Sequence, residues 1–99
     1  MYIMQSDVKA VKATAAAAIT AAGVSGRIKG FLYARAAAAP TITFTDGSGG
    51  ATVFDYTGTA GTDVATDIMV QIPGAGIYCA DNIQLSVLTN VAVITVFWA

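Results

Sequence analysis

The run "TDGSGG", residues 45–50, is where this sequence first gathers side chains able to do chemistry. Asp46 among glycines has the look of a calcium loop, but the D-x-D-x-D-G spacing and its distal glutamate are missing. A hairpin turn uses Asp-Gly for its own reasons, because glycine accepts positive φ. Asp63 and Asp67 could meet another carboxylate in space, as glycosidase acids do, yet both sit on a loop or its edge, where aspartates are ordinarily solvated. The sequence has no histidine and no glutamate. Ser6, Ser25, Ser48 and Ser86 therefore have no imidazole base, which excludes a Ser-His-Asp triad. "GSGG" lacks the lysine that a P-loop needs. Cys79, the sole cysteine, lies in "GIYCADN" among apolar neighbours and reads as a small core residue. It allows no intrachain disulfide. Tyr2, Tyr33, Tyr56, Tyr78 and Trp98 could stack on sugar rings, but aromatics scattered through strands more often fill a core or an interface. No catalytic site, metal site or cofactor is implied.

The elements that would carry a binding surface are better marked. Apolar residues make up 56% of the 99 and charged residues 11%, against about a quarter charged in an ordinary soluble domain. Much of the excess is alanine, but few charges remain to cover a surface, so the composition predicts a subunit that hides surface in an assembly. No window of about 20 residues combines large aliphatics with freedom from charge and turn residues, so no membrane-spanning helix is expected. Asp7, Lys9 and Lys12 stand where a secretory h-region would begin. All five basic residues, Lys9, Lys12, Arg27, Lys29 and Arg35, precede residue 36, and every aspartate but Asp7 follows it. That polarity suits steering toward a charged partner. Without clustered aromatics it makes no nucleic-acid footprint.

Along the chain, "SDVKAVKAT" suits an edge strand guarded by lysines. The alanines that follow predict a short helical turn or an extended segment. In "RIKGFLYAR", Ile28, Gly30, Leu32 and Ala34 fall on one face and Lys29, Phe31 and Tyr33 on the other. Gly30 marks a bulge or a close backbone approach. "TITFT", "DGSGG" and "ATVFDY" form a hairpin over residues 41–56, with Ile42 and Phe44 inward. "TGTAGTDVAT" reads as a loop, and "DIMVQI" points Ile68, Val70 and Ile72 to the core. In the next strand Ile83, Leu85 and Val87 share a face opposite Gln84 and Ser86, and Asn90 turns it into "VAVITVFW" as a second hairpin. That last strand is apolar on both faces, which a strand with one wet face is not. Either the domain covers both faces or another chain covers one. Some six to eight short strands with regular turn signals predict one all-β domain, a sandwich or a barrel. Residues 1–26 form an N-terminal arm or edge strand plus an alanine-rich connector.

"GRIKGFLYA", "TITFTDGSGGATVFDY" and "DIMVQIPGAGIYCADNIQLSVLTNVAVITVFW" together resemble the small structural proteins of T7-like tailed bacteriophages of marine bacteria. The likeness covers residues 26–98 through the "RIKG" strand, the "DGSGG" hairpin, the "IPGAG" turn and the closing "TNVAVITVFW". The stretch "KATAAAAITAAGVSG" departs from it in the length of its alanine run. The resemblance implies a single-domain antiparallel β-sandwich, loosely jelly-roll. It also implies a capsid decoration or knob role, non-enzymatic, on the virion surface after synthesis in the host cytoplasm. The implied partners are the major capsid protein and copies of the chain itself, as a homotrimer. Candidate contacts are Met1, Tyr2, Ile3 and Met4, the five basic residues, and Phe97 with Trp98. A tail or head–tail connector component and a carbohydrate-binding surface module are the competing expectations.

Overall fold

The computed structural model describes residues 8–36, 38–58 and 67–99. It holds β1 (Lys9–Ala13), β2 (Ala17–Ala18), β3 (Gly26–Arg35), β4 (Thr41–Asp46), β5 (Thr52–Thr57), β6 (Asp67–Gln71), β7 (Ile77–Cys79), β8 (Ile83–Thr89) and β9 (Val91–Trp98). Among the described residues no helix is long and apolar enough to cross a membrane. The alanine run takes its extended option: Ala17 and Ala18 pair with Leu85 and Gln84, and Ile19 beyond them enters the core.

Two antiparallel sheets form a sandwich. Sheet A runs β1-β9-β3-β6, with β7 also on β3, and sheet B runs β2-β8-β4-β5. Taking β6 and β7 as one interrupted strand, the chain pairs from its ends inward: first with last, second with second-last, and so on to the β4–β5 hairpin. Successive pairs alternate between the sheets. This is the path of a long hairpin rolled up on itself, a jelly roll. The hairpin expected at residues 41–56 is present, with Ile42 opposite Tyr56 and Phe44 opposite Phe54. Gly47 and Gly49 supply its positive φ values, 86° and 74°.

The second expected hairpin is not one. β8 belongs to sheet B and β9 to sheet A, so Asn90 is a corner where the chain changes sheets. Asn90 adopts φ 59°, a left-handed conformation that asparagine tolerates better than most residues. Its amide donates to Ala39 O at 3.0 Å, while its own carbonyl accepts from Ala36 N at 2.9 Å. The corner is thereby tied to the β3–β4 crossing.

Two bulges overturn the simple alternation read from the sequence. In β3 the register slips between Ile28 and Gly30, so Ile28 joins Phe31 and Tyr33 inside, while Leu32 and Ala34 line the outer face. A Cβ on Gly30 would lie 2.6 Å from Val70 O, which fixes glycine at this close approach. In β8 the slip at Ser86 sends Val87 outward, 38% exposed, and brings Leu88 in against the core instead.

The core is Ile28, Phe31, Tyr33, Ile42, Phe44, Ile83, Leu85, Ile94 and Val96, joined by Cys79. Phe31 centres an aromatic cluster with Tyr33, Phe44, Phe54 and Tyr56 at centroid distances of 5.7–6.1 Å. Ile68, Val70 and Ile72 pack against it, as their spacing predicts.

Two raised pKa values in this core make the fold lose stability at alkaline pH. Burial, with a smaller push from Asp46, raises the Cys79 thiol from 9.0 to about 11. Burial, followed by the Tyr33–Tyr56 hydroxyl bond at 3.0 Å, raises the Tyr33 phenol from 10.0 to about 12. Both folded values lie above the unfolded ones. The folded chain therefore holds protons that the unfolded chain has lost, and stability falls as pH rises. Urea midpoints are expected to hold up to pH 9 and to decline from there through about pH 12, the folded value of Tyr33. In Cys79→Ala the decline should begin nearer pH 10, where Tyr33 alone remains.

Candidate interaction surface

The pairing register assigns the outer face of sheet A row by row. Lys12, Thr95, Leu32 and Met69 make one row across β1, β9, β3 and β6. Ala10, Phe97, Gly30 and Gln71 make the next. Val93, Ala34 and the register position of Asp67 continue the face toward one end, and Arg27 with Tyr78 extends it toward the other. Met69 is 46% exposed and Tyr78 51%, while Leu32, Val93 and Phe97 are half-buried. No other described strand lies over these residues.

The outer face of sheet B differs. Its rows are Thr57–Thr41–Thr89 and Asp55–Thr43–Val87. Thr43 Oγ1 donates to Asp55 Oδ1 at 2.9 Å. Threonine suits a strand by its β-branch and water by its hydroxyl. This face can remain wet at almost no cost in formal charge.

The expected contact residues divide accordingly. Met1, Tyr2, Ile3 and Met4 lie outside the described residues, as does Asp63. The loop expected after β5 falls largely outside them too. Lys9 and Lys12 are on β1, and Arg27, Lys29 and Arg35 are on β3, so every basic residue of the chain belongs to sheet A. Arg27 stacks over Tyr78 at 4.9 Å, and Lys29 Nζ donates to Ala75 O at 3.2 Å. Arg35 is at the far end of β3, close enough to Tyr33 for its charge to pull that phenol pKa partly back down. Phe97 is on the outer face.

Trp98 is not. It shares the inner side with Ile28 and half-buries its ring at the sandwich edge beneath Lys9, whose ammonium sits 4.9 Å from the ring centroid. Its buried indole N–H has no hydrogen-bond partner among the described residues. Such an unpaired donor costs about 1–3 kcal/mol, which cation–π attraction and ring packing must offset.

Asp46 serves the turn: its Oδ1 accepts Asp81 N at 2.8 Å, and Asp81 Oδ1 in turn accepts Gly23 N at 3.2 Å. Among the described residues no three His, Cys, Asp or Glu side chains gather as metal ligands. Of the tyrosines, Tyr33 and Tyr56 face the core and Tyr78 is exposed. Met69, Leu32 and Val93 escaped the sequence reading as contact residues, whereas Tyr78 was among the aromatics weighed for an interface. A period-two count restarted after the "RIKG" bulge, from the inward Phe31 and Tyr33, would have found Leu32.

The seat of Trp98 is testable because it is the sole tryptophan. A Cβ on Gly26 would approach its ring to 2.9 Å. The folded chain is expected to emit at shorter wavelength than the urea-unfolded chain and to resist acrylamide severalfold better. Gly26→Ala should shift emission to the red without unfolding the chain.

Against known proteins, the chain matches no family model, no curated protein and no solved structure.

Proposed function

We propose that this chain is a non-enzymatic structural subunit of a tailed-phage virion, a decoration protein that lies on the capsid shell with sheet A facing the lattice. The observation that carries the reading is the contrast between the two outer faces. One is a threonine-rich surface suited to water, and the other presents Leu32, Met69, Val93 and Phe97 with cations at its margins. Water favours covering the second and not the first. The jelly roll agrees with this role, since coat proteins use it, but lectins use it as well, and a fold alone decides neither. A sugar-binding role draws less support: it calls for a row of exposed aromatics, whereas Tyr33 and Tyr56 are spent in the core. A decoration subunit would stabilise the shell by binding the assembled lattice and not its dissociated protein.

Cosedimentation with assembled shells from a phage of the resembled class tests this. The wild-type chain is expected to pellet with shells and to ignore dissociated shell protein. Leu32→Asp should lose at least tenfold in affinity, the effect of a buried anchor replaced by a charge, with an unchanged melting curve. Equal pelleting by Leu32→Asp would reject the face, and retention on a glycan array would move the function to carbohydrate.

A further inference from the structure

Charge narrows what can cover the outer face of sheet A. Its charged side chains are Lys12 in the central row, Arg27 beside Tyr78, and Lys29 in the β3 bulge at the margin. Asp67 takes the register position opposite Ala34 on β6, at the end of the face away from Arg27 and on the edge strand opposite that of Lys12. The cations thus outnumber the carboxylates of this face three to one. Sheet B carries none of the basic residues, and Asp55 stands on its edge strand β5, in the outer-face row of Thr43 and Val87. The five cations are thus all on one sheet of a slab whose extents are 41 × 38 × 19 Å.

We infer that the outer face of sheet A docks an apolar protein surface rimmed by carboxylates, and that this occupant is not the same face of a second copy. The inference rests on the shell-docking reading and names the chemistry of the partner. Two such faces brought together would bury Leu32, Phe97 and Met69 well, but would also bring cations against cations. Like charges across an interface are a penalty that proteins use to reject partners. Arg27 and Lys29 are already braced, by the Tyr78 ring and by the Ala75 carbonyl. Their heads are partly ordered before a carboxylate arrives, which lowers the entropy cost of pairing. Three of the apolar side chains of the face, Leu32, Val93 and Phe97, are half-buried and only Met69 and Tyr78 stand exposed, which suits contact with a protein surface better than insertion into lipid.

The probe is the chain itself with its rim reversed, Lys12→Glu/Arg27→Glu/Lys29→Glu. It offers the same apolar centre inside a ring of carboxylates, and flat sheet faces pack readily on one another. Sedimentation velocity should find wild type alone and the reversed copy alone as monomers, and a one-to-one complex in their mixture. Affinity should fall at least tenfold from 50 to 300 mM NaCl, and Leu32→Asp in either copy should abolish the complex. Should the triple variant not fold, Lys12→Glu/Arg27→Glu takes its place. Wild-type self-association as tight as the mixed complex, no complex at all, or binding only to phosphatidylserine vesicles would each overturn the inference. Shell binding that survives rim reversal would reject the acidic rim and leave the shell reading standing. A mixed complex from a chain that ignores shells would do the opposite.

Discussion

Lys9 stands opposite Trp98, and Ile28 stands opposite it on the other side, so the last strand of the chain is clamped between the first and the third. The rest of the molecule depends on that insertion. Without β9, β1 has no neighbour, and β3 loses its inner partners Ile94 and Val96, both fully buried. The outer face would lose Val93, Thr95 and Phe97 as well. Fully burying side chains of this size contributes about 1.5–3 kcal/mol each, and here that gain arrives only after residues from opposite ends of the chain have met. Such pairing is slow, because loop-closure entropy is lost before contacts repay it. The β4–β5 hairpin is the pair that can form locally. Its inner residues Phe44, Phe54 and Tyr56 give Phe31 a surface to join, and β3 can then template β9.

The bulges in β3 and β8 shape what the two sheets show to the outside. A regular β3 would put Ile28 on the outer face and Lys29 in the core. The slip beside Gly30 reverses this and places Lys29 at the margin, where its ammonium reaches the Ala75 carbonyl. It also twists the strand, which helps sheet A curve over the aromatic cluster. One glycine thereby serves packing and surface charge together, and the Val70 carbonyl beside it leaves room for no other residue.

Much of this was legible in the sequence. The class, the 41–56 hairpin and the inward set Ile42, Phe44, Ile68, Val70 and Ile72 follow from alternation and turn residues, which are local. What was not legible is nonlocal. "TNV" reads as a hairpin turn because Asn tolerates positive φ, but the same φ also serves a corner between sheets. The choice is made by Ala36 and Ala39, far away in sequence. Val87 and Leu88 exchanged roles for a similar reason, since the bulge at Ser86 is set by β4. Trp98 looked like a free anchor because it is large and near the end. Only the absence of a side chain on Gly26 gives its ring a seat.

The low charge content then takes on a more specific meaning than insolubility. A chain with 11% charged residues would aggregate if the deficit were spread evenly, because both faces would be weakly solvated. Here the deficit is sorted. Sheet B is hydrated by threonine hydroxyls with Asp55 among them, while the basic residues are confined to sheet A around its apolar centre. Cations placed there do two things at once. On the proposed reading they keep identical faces apart in the free protein and leave the face attractive to a surface of opposite sign. Apolar area alone would supply affinity without discrimination. With a positive margin, the same area can wait unpaired until a suitable partner is present.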